Sequence, residues 1–107
     1  LAQLLLTLLE NAAQAMPGGG TVVVSLRGHA GAVELRVADD GPGVDAAVAG
    51  QIFAPFFTTR AEGTGLGLAL AARVAQAHGG ELSLRPGEGI GPGGRGACFV
   101  LKIGGLM

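Results

Sequence analysis

Ala32-Val33-Glu34-Leu35-Arg36-Val37 runs almost directly into Asp39-Asp40-Gly41-Pro42-Gly43, joining an alternating apolar and polar segment to an acidic, glycine-rich bend. Alternation with period two is the pattern of a strand with one buried face. Asp, Gly and Pro are the residues that turns use, so the strand should end where the acidic pair begins. A carboxylate at that point is also placed to accept a hydrogen bond from an exocyclic amine, such as that of adenine. Glycines beside it let a ligand approach the backbone closely. On this segment alone two readings stand: a plain turn, or a base-binding bend built on Asp39, Gly41 and Gly43.

Upstream, Thr21-Val22-Val23-Val24-Ser25-Leu26 is rich in β-branched residues and reads as a strand, with Gly28-His29-Ala30-Gly31 as the turn of a hairpin. Before it, Leu1, Leu4, Leu5, Leu8, Leu9, Ala12, Ala13 and Met16 keep the spacing of an amphipathic helix, which Pro17 and the glycines after it stop. Downstream, residues 45–52 suit a short helix, Phe53, Phe56 and Phe57 hold three of the four aromatic rings, and residues 58–65 form a polar connector. Residues 66–77 read as a helix that is apolar almost all round and so largely buried. Residues 81–84 and 98–103 are strands, separated by a loop over 86–96 with six glycines and two prolines. The order α-ββ-(α)-α-ββ implies an α+β fold, a two-layer α/β sandwich with helices on one face of a mixed sheet.

The chain is 107 residues long and 49% hydrophobic, with 7 basic and 8 acidic side chains. That is one domain, residues 1–107, with enough apolar content to exclude a disordered chain. A formal net charge of −1 excludes a strongly basic nucleic-acid binder or a polybasic membrane binder. The single cysteine, Cys98, excludes an intramolecular disulfide framework and a cysteine-cluster zinc site. No apolar run reaches the roughly 20 residues of a membrane span. The start has neither Met nor the charged segment of a signal peptide, which reads as a piece of a longer chain. Glycine is abnormal, 21 residues in all against a usual share of about 7%. The glycines cluster between patterned segments, so each cluster calls for a local explanation.

Three features could carry chemistry. Asn11 shares a helix face with Thr7, four residues away. Its neutral amide oxygen suits Mg²⁺ without adding charge beside phosphates, although a solvent-facing asparagine is the commoner case. The acidic bend is the second. The third is Gly63-Thr64-Gly65-Leu66-Gly67-Leu68, which opens the apolar helix and offers backbone N–H groups and a helix dipole to a phosphate. It fits neither Walker A nor the dinucleotide fingerprint, and a flexible helix start is the alternative. Arg60, just upstream, could reach a bound phosphate or lie on the surface. His29 and His78 read as structural.

Taken in order, these segments resemble the ATP-binding catalytic domain of sensor histidine kinases, in the superfamily that includes gyrase, heat-shock protein 90 and MutL. Leu8-Leu9-Glu10-Asn11-Ala12-Ala13-Gln14-Ala15-Met16-Pro17 looks like the N box, and Asp39-Asp40-Gly41-Pro42-Gly43-Val44 like the G1 box. Ile52-Phe53-Ala54-Pro55-Phe56-Phe57-Thr58-Thr59-Arg60 looks like the F box, and Gly63-Thr64-Gly65-Leu66-Gly67-Leu68 like the G2 box. His78-Gly79-Gly80 and Gly94-Arg95-Gly96-Ala97-Cys98-Phe99 match the closing motifs. Four boxes in order are specific, and the Pro-Phe-Phe-Thr-Thr-Arg run is most similar to kinases of the nitrogen-regulation type.

The resemblance implies a Bergerat-type ATP-binding fold, with a leading strand before the N box missing here and a sheet edge exposed in consequence. It implies ATP and Mg²⁺ as ligands. Asn11 would ligate the metal, Asp39 the adenine amino group, and Gly41 and Gly43 would make room for the base. Phe53, Phe56 and Phe57 would anchor a lid from which Arg60 contacts phosphate, and Gly63, Thr64, Gly65, Leu66 and Gly67 would hold the phosphates. The parent would be a cytoplasmic or membrane-anchored histidine kinase. Its partners would be a histidine-bearing dimerisation domain and a response regulator receiver domain, with no nucleic acid and no membrane contact by this domain. An anti-sigma-factor-type serine kinase and a degenerate interaction module share the boxes and stay open. Three positions depart from the pattern. Thr7 replaces a first asparagine and stands where ATPases of the superfamily carry a catalytic Glu, Ala97 replaces a common Thr beside the adenine Asp, and Gln14 replaces an often charged residue.

Overall fold

The computed structural model describes residues 2–29, 31–45, 47, 49–54 and 67–103. Helix α1 spans Ala2–Ala15 and α2 spans Gly67–Ala77. The strands are β1 (Val22–His29), β2 (Ala32–Asp39), β3 (Gly80–Leu84) and β4 (Cys98–Ile103), in the spatial order β1-β2-β4-β3. Short 3₁₀ turns occupy Ala49–Gln51 and Pro92–Gly94.

The two strand pairs anticipated from the pattern form, and both helices pack on one face of the sheet. Every described ladder is antiparallel, however, where a mixed sheet is expected from the sequence. The cause lies in the crossover. The chain leaves β2, passes through α2 and enters β3 running in the same direction, but β4 inserts between these two parallel strands and pairs antiparallel with both. Among the described residues of 45–52, where a helix is expected, the helical turn is the 3₁₀ turn at Ala49–Gln51, and upstream of it Asp45 Oδ1 accepts from the Ala47 amide at 2.9 Å.

Alternation decides which side of each strand is dry. Val37, Phe99, Leu101, Ile103 and Leu82 lie on the helix-facing side and pack with Leu4 and Leu8 of α1 and Ala71 and Ala75 of α2. Leu8, Phe99 and Leu101 are almost wholly removed from water, a contribution of roughly 1.5–3 kcal/mol for each such side chain. α2 is less buried than its apolar sequence suggests. Its inward face is the small residues Ala69, Ala71 and Ala75, and Leu70 remains 55% exposed with Val74 beside it on the outer face. Alanines there let α2 lie close to α1 and β3, and the bulkier residues consequently point away. Leu26 of β1 is also open to solvent, at 71%.

The opposite sheet face buries only Ala38, Cys98 and Val100. Burial pushes the Cys98 thiol pKa up, which keeps it protonated and unreactive. On the same face Arg36 donates to Glu34 and to Glu88, both at 2.8 Å, tying the 86–96 loop to β2. The hydrogen bond from Arg36 holds the Glu34 carboxyl below its ordinary value of 4.5. A carboxylate whose pKa is lowered by folding stabilises the fold above its unfolded pKa, and that stabilisation is lost as pH falls through the folded value. Glu34→Gln should therefore melt below the parent at neutral pH and converge with it as the pH falls through the lowered folded value, read by thermal denaturation from neutral to acid pH. Parallel melting curves for the two proteins at every pH would contradict the pairing.

Candidate functional site

Asp39 is the last residue of β2 and is only 2% exposed. Its Oδ1 accepts two backbone amides, from Gly41 and from Ala97, both at 3.0 Å. The Asp39 amide in turn donates to the Ala97 carbonyl at 2.9 Å, and its carbonyl accepts from the Ile90 amide at 3.0 Å. Oδ2 has no hydrogen-bond partner among the described residues. A buried polar oxygen left without a donor is costly, so this atom is a candidate acceptor for a ligand's donor.

Asp40 does different work. Its Oδ1 accepts from the Thr21 amide at 2.9 Å, and its own amide donates to the Thr21 carbonyl. It fixes the entry to β1 and leaves Asp39 as the candidate ligand-binding carboxylate. Gly41 is buried, and a Cβ there would lie 2.9 Å from Met16 Cγ, so the space beside the bend is filled by the side chain that ends α1. Gly43 has φ +78° and sits against the Gly96 backbone.

Gly96 is the tightest position. It has φ +111°, and a Cβ on it would run into the Asp39 carbonyl. Only glycine combines that backbone with that approach, which is why the 86–96 loop can press onto the acidic bend. Arg95, beside it, donates from Nε to the Gly41 carbonyl at 3.2 Å.

The other end of α1 meets α2. Gly67, the first residue of α2, is packed beside Thr7, with Thr7 Cγ2 3.8 Å from where a Cβ would stand. The Thr7 hydroxyl donates to the Gln3 carbonyl at 3.0 Å, a bond within its own helix. Asn11 is half-buried one turn further along the same face, and Glu10 is exposed. α1 therefore links the start of α2, near Thr7, to the acidic bend, near Met16. The two ends lie roughly 13 Å apart at the helical rise of about 1.5 Å per residue.

Of the anticipated site residues, Asp39, Gly41 and Gly43 meet at the bend, and Asn11 and Gly67 lie along α1. Arg60, Gly63, Thr64, Gly65 and Leu66, with Phe56 and Phe57, lie outside the described residues. Phe53 is anchored edge-on to Phe99, with ring centroids 6.1 Å apart. The sequence reading missed Met16, Gly96 and the Ala97 amide. The Gly-Arg-Gly triplet was the available signal for Gly96, whereas a backbone donor such as the Ala97 amide leaves no mark in residue identity. Ala97 lacks the expected hydroxyl, and the amide supplies a donor to Asp39 in its place.

The family model described as histidine kinase-, DNA gyrase B- and HSP90-like ATPase matches residues 1–104. The chain belongs to this family. The ATPase domain is 42% identical over 96% of its length to the sensor histidine kinase ZraS of Escherichia coli, and 39% identical over 96% to the histidine-protein kinase AtoS of the same species. It spans 21% and 16% of those two proteins. Among solved structures it superposes on the mycobacterial sensor histidine kinase MprB with TM-score 0.84 and 30% identity, covering 96% of this chain and 70% of that one. It matches full-length ShkA in complex with AMPPNP with TM-score 0.78 and 34% identity, covering 94% and 20%. The domain is thus an ATP-binding domain of the histidine kinase kind.

Among the described residues no helix is long and apolar enough to cross a membrane, and no three His, Cys, Asp or Glu side chains cluster to hold a metal. Substituting Gly96→Ala in the ATPase domain should destabilise it by more than about 1–3 kcal/mol, from backbone strain plus the clash with Asp39. Gly28→Ala, in open space, should be close to neutral. Chemical denaturation compares the two, and equal effects would contradict the close approach.

Proposed function

We propose that the domain binds Mg-ATP with the adenine at the acidic bend and the phosphates toward the start of α2. Within a longer parent kinase it would deliver the γ-phosphoryl group to a histidine on a dimerisation domain, for later passage to an aspartate of a response regulator receiver domain. The observation that carries the reading is Asp39, a buried carboxylate with one oxygen pinned by two amides and the other open. Such an acceptor suits the amino group of adenine and disfavours the carbonyl that guanine presents at the same edge.

α1 supports the placement of the rest. Gly67 beside Thr7 puts the N-terminal end of α2, where unpaired amides and the helix dipole favour anions, one turn from Asn11. Asn11 offers one neutral oxygen, and Mg²⁺ takes few protein ligands when phosphates and water complete its shell. The described residues fit an ion that arrives with the nucleotide. The bound ion supplies charge neutralisation of the phosphates.

The transfer itself needs little covalent chemistry from the protein. An imidazole nitrogen of the acceptor histidine forms a bond to the γ-phosphorus as the bond to the β,γ-bridging oxygen breaks, and ADP leaves. Positioning and charge stabilisation dominate such a step. Thr7 cannot act as a general base for water, and its hydroxyl is already donated to Gln3. Slow hydrolysis of bound ATP follows, which favours delivery to a protein acceptor.

Asp39→Asn keeps an oxygen for the two amides and replaces the open acceptor by a donor. It should weaken Mg-ATP binding by roughly tenfold to a hundredfold, the worth of a hydrogen bond to a charged group, and erase the preference for ATP over GTP. Isothermal calorimetry on parent and variant reads both quantities. Unchanged affinity and preference would refute the adenine assignment.

A further inference from the structure

The Gly41 residue is gripped from both sides. Its amide donates to Asp39 Oδ1 at 3.0 Å, and its carbonyl accepts from Arg95 Nε at 3.2 Å. Arg95 has a firm base for this reach. Its amide donates to the Pro92 carbonyl, and its carbonyl accepts from the Gly91 amide at 2.8 Å. The guanidinium makes no ion pair among the described residues. The bond to the Gly41 carbonyl is the one hydrogen bond of the arm among the described residues, in a tract where every other residue between 91 and 97 is glycine, proline or Ala97.

We infer that Arg95 is a positioning residue for base recognition, acting through Gly41 to hold the Asp39 carboxylate in the orientation that leaves Oδ2 open. The inference rests on Asp39 as the adenine acceptor. Two amides fix Oδ1, and they differ in what secures them. Ala97 immediately precedes β4, and its carbonyl is held by the Asp39 amide at 2.9 Å. The Gly41 amide belongs to the bend between Asp39 and Gly43, which Asp40 ties to Thr21 and Met16 packs against but which no strand ladder holds. Arg95 holds the Gly41–Pro42 peptide by its carbonyl, and so fixes the Gly41 Cα from which the Asp40–Gly41 amide extends. Without that anchor Gly41 can shift, Oδ1 loses one of its two donors, and the carboxylate can swing about its remaining bond to Ala97. A carboxylate free to swing presents either oxygen to the base, and discrimination between an amine and a carbonyl falls with it.

The test uses the 107-residue chain, Arg95→Ala and Arg95→Lys. Amide hydrogen exchange by NMR on the nucleotide-free proteins reads the Gly41 link directly. Arg95→Ala should speed Gly41 exchange relative to amides of β4, and Arg95→Lys, which keeps a donor, should restore part of the protection. Calorimetry with ADP and GDP then reads recognition. Arg95→Ala should bind ADP about threefold to tenfold more weakly and prefer it less over GDP, with partial rescue by Lys. A purely structural arginine would lower the melting temperature and leave the base preference untouched, and that result overturns the inference. Unchanged Gly41 exchange overturns it as well, whatever the nucleotide does. If the unaltered chain binds no ADP, the reading of Asp39 fails, and Gly41 exchange alone then decides whether Arg95 positions the carboxylate.

Discussion

Taking a carboxylate out of water at the end of a β-strand costs several kcal/mol unless hydrogen bonds replace its hydration. At Asp39 that replacement is half complete. Gly41 and Ala97 amides satisfy Oδ1, and Oδ2 has no donor among the described residues. Most of what is distinctive in the chain follows from holding that group. β2 delivers it, the residue just before β4 supplies one amide, the bend supplies the other, and the 86–96 loop closes over the strand end through the bond from Ile90 to the Asp39 carbonyl.

Glycine makes the closure physically possible. Backbone meets backbone where Gly96 faces the Asp39 carbonyl, and any Cβ there would push the loop away and take the Ala97 amide with it. The high glycine content is thereby tied to one carboxylate as much as to turns. α1 has a comparable double duty. It fills the core through Leu4 and Leu8, and on its other side it spans from Gly67 of α2 to the bend that Met16 packs against. One rigid helix thus sets the separation between the start of α2 and the acidic bend.

Much of this was legible in the sequence. The strand pairs followed from alternation, the helices from spacing, and Asp39 from its place after a strand beside Gly41 and Gly43. The antiparallel pairing of β4 between β2 and β3 was not legible, because nothing local distinguishes a strand that inserts from one that adds at the edge. The burial of 66–77 was overread, since an apolar composition does not say that its alanines face inward and Leu70 outward. The second set of contacts to Asp39 was hidden for a deeper reason. The Ala97 amide is a backbone group, and Ala97 as a residue type pointed away from the site by lacking a hydroxyl. Arg95 carried no assigned role within the Gly94–Phe99 motif, because nothing local to Gly94-Arg95-Gly96 says that its guanidinium reaches the Gly41 carbonyl.

The most direct measurement is a crystal structure of the chain with Mg²⁺ and a non-hydrolysable ATP analogue. The account predicts the adenine amino nitrogen within hydrogen-bond distance of Asp39 Oδ2, with Oδ1 still held by Gly41 and Ala97 and the phosphates running along α1 past Asn11 toward Gly67. A base lodged elsewhere, or a nucleotide that leaves Oδ2 facing solvent, would contradict it.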